Sequence, residues 1–197
     1  MIMQENLHTK SINAVDFTIN ENGVLVKAKL ADGTGAGVPD GVRNIGDGEF
    51  CAPVVLMEAA IPDTVIRIGD GAFSGCDWLT GVKIPVSVKC IGNKAFYDCY
   101  SLTYTTMRDS VTDIGDDAFA ECNQLANVQL SKCLASIGDR AFAWCETLPE
   151  VFLPGSVTCI GDRAFYGCGA EFVIHAPAGS FAERYAAENS IKFKAEL

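Results

Sequence analysis

The sequence predicts an α/β solenoid, a stack of short repeats in which strands line one face and single helical turns line the other. Three observations carry this. The phrase "SIGDRAFAWC" at Ser136–Cys145 returns as "CIGDRAFYGC" at Cys159–Cys168, 23 residues later. The same spacing holds along most of the chain, and the segments on either side of the repeats have a different character, as the ends of a solenoid require.

Units begin at Val38, Ile61, Ile84, Met107, Leu130 and Leu153, without insertion or deletion. Ile recurs at 45, 68, 91, 114, 137 and 160, each time followed by Gly, and Phe recurs at 50, 73, 96, 119, 142 and 165. Cys holds one place at 76, 99, 122, 145 and 168, with Pro53 in the first unit. Late in each unit the pattern L-x-x-V-x-I alternates as a short strand does, as in Leu79, Val82 and Ile84. Pro at 39, 62, 85 and 154 ends that strand by removing a ladder donor. A second extended piece covers Ser-Val-x-x-Ile. Gly then turns the chain, and "DxAFxxC" is read as one turn of helix with the Asp as its N-cap. A lone unit of this size buries too little apolar surface to offset its ordering entropy, so stability must lie in the contacts between units.

Before the repeats, "AVDFTI", "NENG" and "VLVKAKL" read as a hairpin with Asn22 and Gly23 in or near the turn. After them, Ser180 and Glu183 form a capping-box pattern that opens a short helix, and "IKFKAEL" alternates as a final strand. The expected organisation is one domain over 1–197: an N-terminal cap at 1–37, six repeats at 38–175 and a C-terminal cap at 176–197.

Unit length, the phrase IPxSVxxIGxxAFxxC and the tail "APAGSFAERYAAENSIKF" resemble the BspA-like leucine-rich repeat family over about residues 38 to 190. The resemblance implies a right-handed leucine-rich-repeat solenoid with a parallel β-sheet on one face. It also implies a role in binding proteins, often as secreted or surface proteins of host-associated microbes, adhesins among them, and it does not imply catalysis. The chain departs from the pattern at Glu171, which stands where the repeat has Leu, and it shows no leader.

Charge and composition exclude several roles. A net charge of −10 repels a nucleic acid backbone or an anionic membrane surface. No apolar stretch reaches membrane-span length, so membrane insertion is not expected. Residues 1–20 lack the apolar core of a signal peptide and the cysteine count is 9, an odd number, so the chain as given favours the cytoplasm with reduced thiols. A leader removed upstream would place it at the cell surface or outside.

Candidate chemistry is sparse. The Cys ladder forms a line rather than a converging set of zinc ligands, and it reads as buried filler. The row Asp47, Asp70, Asn93, Asp116, Asp139 and Asp162 has the look of the carboxylate lines that bind calcium, but capping accounts for the Asn as well. His8 falls in a segment expected to fray, and His175 at an exposed strand end without partners. No cofactor and no catalysis are expected. What remains is the strand face, where the outward positions Lys83, Tyr104, Thr106, Asn127, Gln129, Glu150, Phe152 and His175 vary from unit to unit and are the candidate contacts for an unidentified protein ligand. Trp144, Tyr97 and Tyr166 form a competing patch on the turn side. The reading is a non-enzymatic protein-binding module, with a cell-surface adhesin and a calcium-stabilised structural module as alternatives. Oligomeric state is left open.

Overall fold

Strand follows strand at half-repeat intervals in the computed structural model, which describes residues 8–12, 15–30, 38–48 and 58–196. Phe50, Cys51 and Pro53 of the first unit lie outside the described residues. The elements are β1 (His8–Ile12), β2 (Val15–Ile19), β3 (Val24–Leu30), β4 (Asn44–Ile45), β5 (Glu58–Ala60), β6 (Arg67–Ile68), β7 (Gly81–Ile84) and β8 (Cys90–Ile91). There follow β9 (Tyr104–Met107), β10 (Asp113–Ile114), β11 (Asn127–Gln129), β12 (Ser136–Ile137), β13 (Glu150–Phe152), β14 (Cys159–Ile160), β15 (Val173–Pro177), α1 (Phe181–Glu188) and β16 (Lys192–Glu196).

Because the unit length never changes, each coil sets the same residue against its counterpart in the next. The Ile of every I-G pair therefore joins one parallel ladder, β4-β6-β8-β10-β12-β14, and the β1-β2-β3 meander continues it at the N-terminal end. The L-x-x-V-x-I strands form a second parallel face, split into β5-β7-β9-β11 and β13-β15-β16. Between the faces runs a single apolar core. Its spine is a stack of Phe73, Phe96, Phe119, Phe142 and Phe165, with ring centroids 5.0 to 5.5 Å apart and planes within 8° of parallel.

The segment "DxAFxxC" is not a turn of helix. The residue after each Asp has a left-handed backbone, with φ of 63° at Gly71, 55° at Lys94, 53° at Asp117, 51° at Arg140 and 52° at Arg163. The residue before each Cys does the same at Gly75, Asp98, Glu121, Trp144 and Gly167. Two left-handed residues break a helix into consecutive tight turns. A helical turn would keep its hydrogen bonds to itself, whereas these turns keep some, such as Tyr97 N–H to the Lys94 carbonyl, and pass others to the next coil. The Phe96 amide donates to the Ala118 carbonyl at 2.7 Å, and Phe119 to Ala141 and Phe142 to Ala164 do likewise. The turn side is thus a third hydrogen-bonded ladder.

The Asp row is likewise used between coils. Each side chain from Asp47 to Asp139 accepts from the backbone amide 23 residues on, Asp70 N–H to Asp47 Oδ1 at 2.9 Å, Asn93 to Asp70 at 3.0 Å and Asp116 to Asn93 at 2.8 Å, a chain that ends at the Asp162 amide. Only an acceptor oxygen is required, which is why Asn93 fits. The same contact dictates the Gly after Ile: a Cβ at Gly115 would stand 2.5 Å from Asn93 Oδ1 and 2.7 Å from its amide nitrogen. Arg140 forks onto Asp117 of the preceding coil, at 2.8 and 3.0 Å, and Arg163 lies 3.9 Å from Asp162 of the row.

Both ends are covered. Asn20 Oδ1 accepts from the Asn22 and Val24 amides, closing the β2–β3 turn at Gly23 (φ 72°), and Leu25 is buried against the first coil. His8 stands in β1, where it pairs with Ile19 of β2, rather than in a frayed end. At the other end Ser180 caps α1 by accepting from the Glu183 amide, while Glu183 reaches back to the Gly179 amide. Phe172 and Tyr185 close the Phe stack on Phe165. Phe172 takes up the buried place that the repeat Leu would fill, and Glu171 turns outward to pair with Lys192.

Candidate binding face

Parallel pairing lines up the outward residues of the strand face on each side of its split. On β7-β9-β11 Gly81, Tyr104 and Asn127 form one column and Lys83, Thr106 and Gln129 the other, and on β13-β15 Glu150 is set against Val173 and Phe152 against His175. Lys83, Asn127, Gln129, Glu150 and Phe152 are exposed, while Tyr104 and Thr106 are half-buried. The Tyr104 ring lies over Gly81, where an added Cβ would stand 2.2 Å from it. A residue without a side chain leaves the bed in which that ring rests.

His175 departs from expectation. It is 5% exposed and has three partners. Its ring stacks on Phe152 with centroids 4.3 Å apart. Nε2 lies 3.0 Å from Glu150 Oε2 and Nδ1 2.7 Å from Glu196 Oε1. The cause is β16, which pairs in parallel with β15 and sets Lys194 opposite His175 and Glu196 opposite Pro177, closing over a strand end that would otherwise be open. The hydrogen bond from the imidazole holds the Glu196 carboxyl below the usual range.

The split in this face has a local origin. Thr103 N–H donates to the Thr80 carbonyl and Ala126 N–H to the Thr103 carbonyl, each at 2.9 Å. One unit on, the same place holds Pro149, which has no N–H to give to Ala126. The ladder lapses between β11 and β13, and Thr147 donates to the Asn123 carbonyl instead. Beside the break lies an open groove of about 540 Å³, lined by Val128, Leu130, Phe152, Leu153, Pro154 and His175 among others. Asn127, Gln129, Lys132 and Glu196 supply its polar rim. The structure therefore brings Asn127, Gln129, Phe152 and His175 to one groove. Lys83 and Tyr104 line a separate depression near β5, together with Glu58.

A model of the BspA type leucine-rich repeat region matches residues 43–171 in 6 copies. The chain belongs to the BspA-type leucine-rich repeat family. Among solved structures, a leucine-rich cell surface protein from Faecalibacterium prausnitzii aligns at 28% identity and TM-score 0.65, over 86% of this chain and 54% of that one. A leucine-rich repeat protein of T. pallidum aligns at 26% identity and TM-score 0.60, over 85% of this chain and 71% of its own. The pneumococcal vaccine antigen PcpA aligns at TM-score 0.69 over 87% of this chain and 50% of its own; at 18% identity that likeness concerns the fold alone. This chain spans about half of the F. prausnitzii structure. No curated protein matches it.

The other features that the BspA-type repeats carry are structural. The Cys99, Cys122, Cys145 and Cys168 thiols donate to the carbonyls of Phe73, Phe96, Phe119 and Phe142, 26 residues back, at 3.1 to 3.3 Å. Burial pushes Cys168 up to about 12 and raises Cys145 well above the thiol range, so these sulfurs are poor nucleophiles at neutral pH. The cysteines among the described residues are free thiols. Among the described residues no three His, Cys, Asp or Glu side chains converge to hold a metal ion, and no helix is long and apolar enough to cross a membrane. On the turn side, Trp144 and Tyr166 meet edge to face at 5.1 Å, and Lys94 lies over Tyr97. Trp78 and Tyr100, 60% and 52% exposed, flank a third depression that the repeat phrase gives no cue to, since neither belongs to it.

Proposed function

We propose that this chain is a non-enzymatic binding module that presents its strand face, centred on the groove beside Phe152, to a protein ligand. The observation that carries the reading is the groove at the Pro149 break: it joins apolar walls, a half-exposed aromatic and a polar rim on one surface. Aromatics held by a rigid scaffold supply contact area at low entropic cost, and clefts with apolar walls and a few polar groups are the usual form of a binding site. The test is capture of ligand by the full chain and by the double variant Phe152→Ala with Gln129→Ala. The variant is expected to lose ligand at least about tenfold, the loss of one interfacial anchor. Equal capture by both would move the site elsewhere, with Tyr104→Ala and Trp144→Ala locating it on the β5–β9 side or the turn side.

A second reading, display at the cell surface as an adhesin, draws on the F. prausnitzii neighbour, which is described as a cell surface protein. Antibody labelling of intact cells should detect the chain if that reading holds. Calcium stabilisation finds less support, since from Asp47 to Asp139 each Oδ1 of the row accepts from the following coil. The melting temperature should not change when a chelator is added.

A further inference from the structure

We propose that the depression lined by Trp78 and Tyr100 is a site for a guanidinium group, the side chain of an arginine on a protein ligand. It shares no residue with the groove beside Phe152, so this reading and the proposed function can fail independently.

The repeat places the parts. A spacing of 23 sets Asp77 against Tyr100 and Trp78 against Ser101 in successive coils. Together with Asp98 these residues line a depression of about 410 Å³. The backbone beneath them is anchored in the core. Cys76 and Leu79 are buried on either side of Asp77 and Trp78, as are Cys99 and Leu102 around Tyr100 and Ser101, and the Asp98 amide donates to the Ala120 carbonyl of the next coil at 2.9 Å. A ligand therefore does not have to order the segments that present these side chains. Nor does the stack itself call for them. Later units carry Asn123 and Gln124, then Glu146 and Thr147, at the places of Tyr100 and Ser101, and Asp98 holds a left-handed backbone (φ 56°) where Gly75 and Gly167 serve in other coils.

The chemistry of the lining selects a cation. An aromatic face attracts positive charge through its quadrupole, and a carboxylate does so directly. The turn side already uses the first of these attractions internally: Lys94 lies 5.6 Å from the centre of the Tyr97 ring and Arg163 5.7 Å from that of Tyr166, the same pair of places three coils apart. Trp144 and Tyr166 also cover each other edge to face. Among the described residues, neither Trp78 nor Tyr100 has a cation or another ring over it, and no basic side chain pairs with Asp77 or Asp98. The surroundings are negative as well. Glu121 takes the place of Asp98 in the next coil, and Tyr97 is pushed above the usual tyrosine range, by burial first and then by the carboxylates of Glu121, Asp98 and Asp117. A neutral sugar would stack on the rings but leave both carboxylates without a counter-charge. Guanidinium fits better than ammonium, because its plane stacks on a ring while its N–H fork meets a carboxylate.

The test titrates the full chain at low salt with the peptide acetyl-Gly-Arg-Gly-amide, following the indole N–H of Trp78 by NMR. The chain has 2 Trp, so Trp144→Phe assigns the two indole signals. The Trp78 signal should shift and saturate, and the same peptide with neutral citrulline in place of Arg should bind at least about fivefold more weakly, the scale of one exposed cation–ring contact. Asp77→Asn with Asp98→Asn should weaken the arginine peptide about fivefold, the scale of two exposed ion pairs, and Asn tolerates the left-handed backbone at 98. Glu21→Gln with Glu188→Gln removes the same charge from exposed positions at the two ends and should change binding by less than about twofold, since salt screens charges at that distance. No shift with the arginine peptide, an equal response to the citrulline peptide or to cellobiose, or equal weakening by the two double variants would overturn the proposal.

Discussion

At the scale of single residues, the repeat makes each side chain answerable to its counterparts one coil away. The inward column Val82, Thr105, Val128, Val151 and Ile174 shows the consequence. Thr105 is fully buried and its hydroxyl has no hydrogen-bond partner. Burying an unpaired hydroxyl costs about 1 to 3 kcal/mol, and Val has nearly the same shape. Thr105→Val should stabilise the chain by about 1 kcal/mol in urea unfolding; equal or lower stability would mean that the hydroxyl does find a partner. Gly115→Ala runs the other way. Its Cβ would press on the Asn93 side chain and on backbone of the coil before it, none of which can retreat without breaking the ladder. A loss of about 2 to 3 kcal/mol is expected, typical of overpacking against rigid neighbours.

Among elements, some were legible in the sequence and others were not, for reasons that individual residues show. The Ile ladder, the Phe stack and both caps could be read because an apolar residue at a constant spacing has one destination. The Asp row could not be placed so well. An Asp before a turn satisfies a local amide or a distant one equally well in sequence terms, and only the stacked coils bring the amide 23 residues away within 2.8 to 3.0 Å. Lys94 and Arg140 hid the two tight turns, since neither advertises a left-handed backbone as Gly71 does. His175 was misplaced because its burial depends on β16, a strand whose register no spacing reveals.

The break in the strand face, by contrast, was written at Pro149, which stands where a ladder donor is needed. Pro149→Ala should supply that donor to Ala126, giving residue 149 an exchange-protected amide and narrowing the groove. The expected gain is about 1 kcal/mol of stability, the net worth of one backbone hydrogen bond. An unprotected amide at 149 would show that another constraint holds β11 and β13 apart.

For the whole molecule, the question is how far a local change is felt. A globular core spreads a perturbation in three dimensions, whereas a stack passes it only to the coils above and below. The Phe spine provides a ruler, because Phe96 and Phe119 touch at 5.0 Å, while Phe73 and Phe142 are separated by two other rings of the stack. Phe→Leu at these sites removes the stacking and keeps most of the volume. Stacked aromatic pairs are worth about 0.5 to 1.5 kcal/mol beyond their buried area, so the cycle Phe96→Leu with Phe119→Leu should show a coupling of about that size. The cycle Phe73→Leu with Phe142→Leu should be additive within about 0.5 kcal/mol, as for sites with no shared partner. Both cycles are read from chemical unfolding of the full chain. Equal coupling in the two would mean that the coils unfold as one body whose rings sense each other through the intervening repeats, and that stability is not held in nearest-neighbour interfaces. If the difference appears, the groove at the Pro149 break is a local property of its own coils, free to vary in sequence without loosening the hairpin at the opposite end.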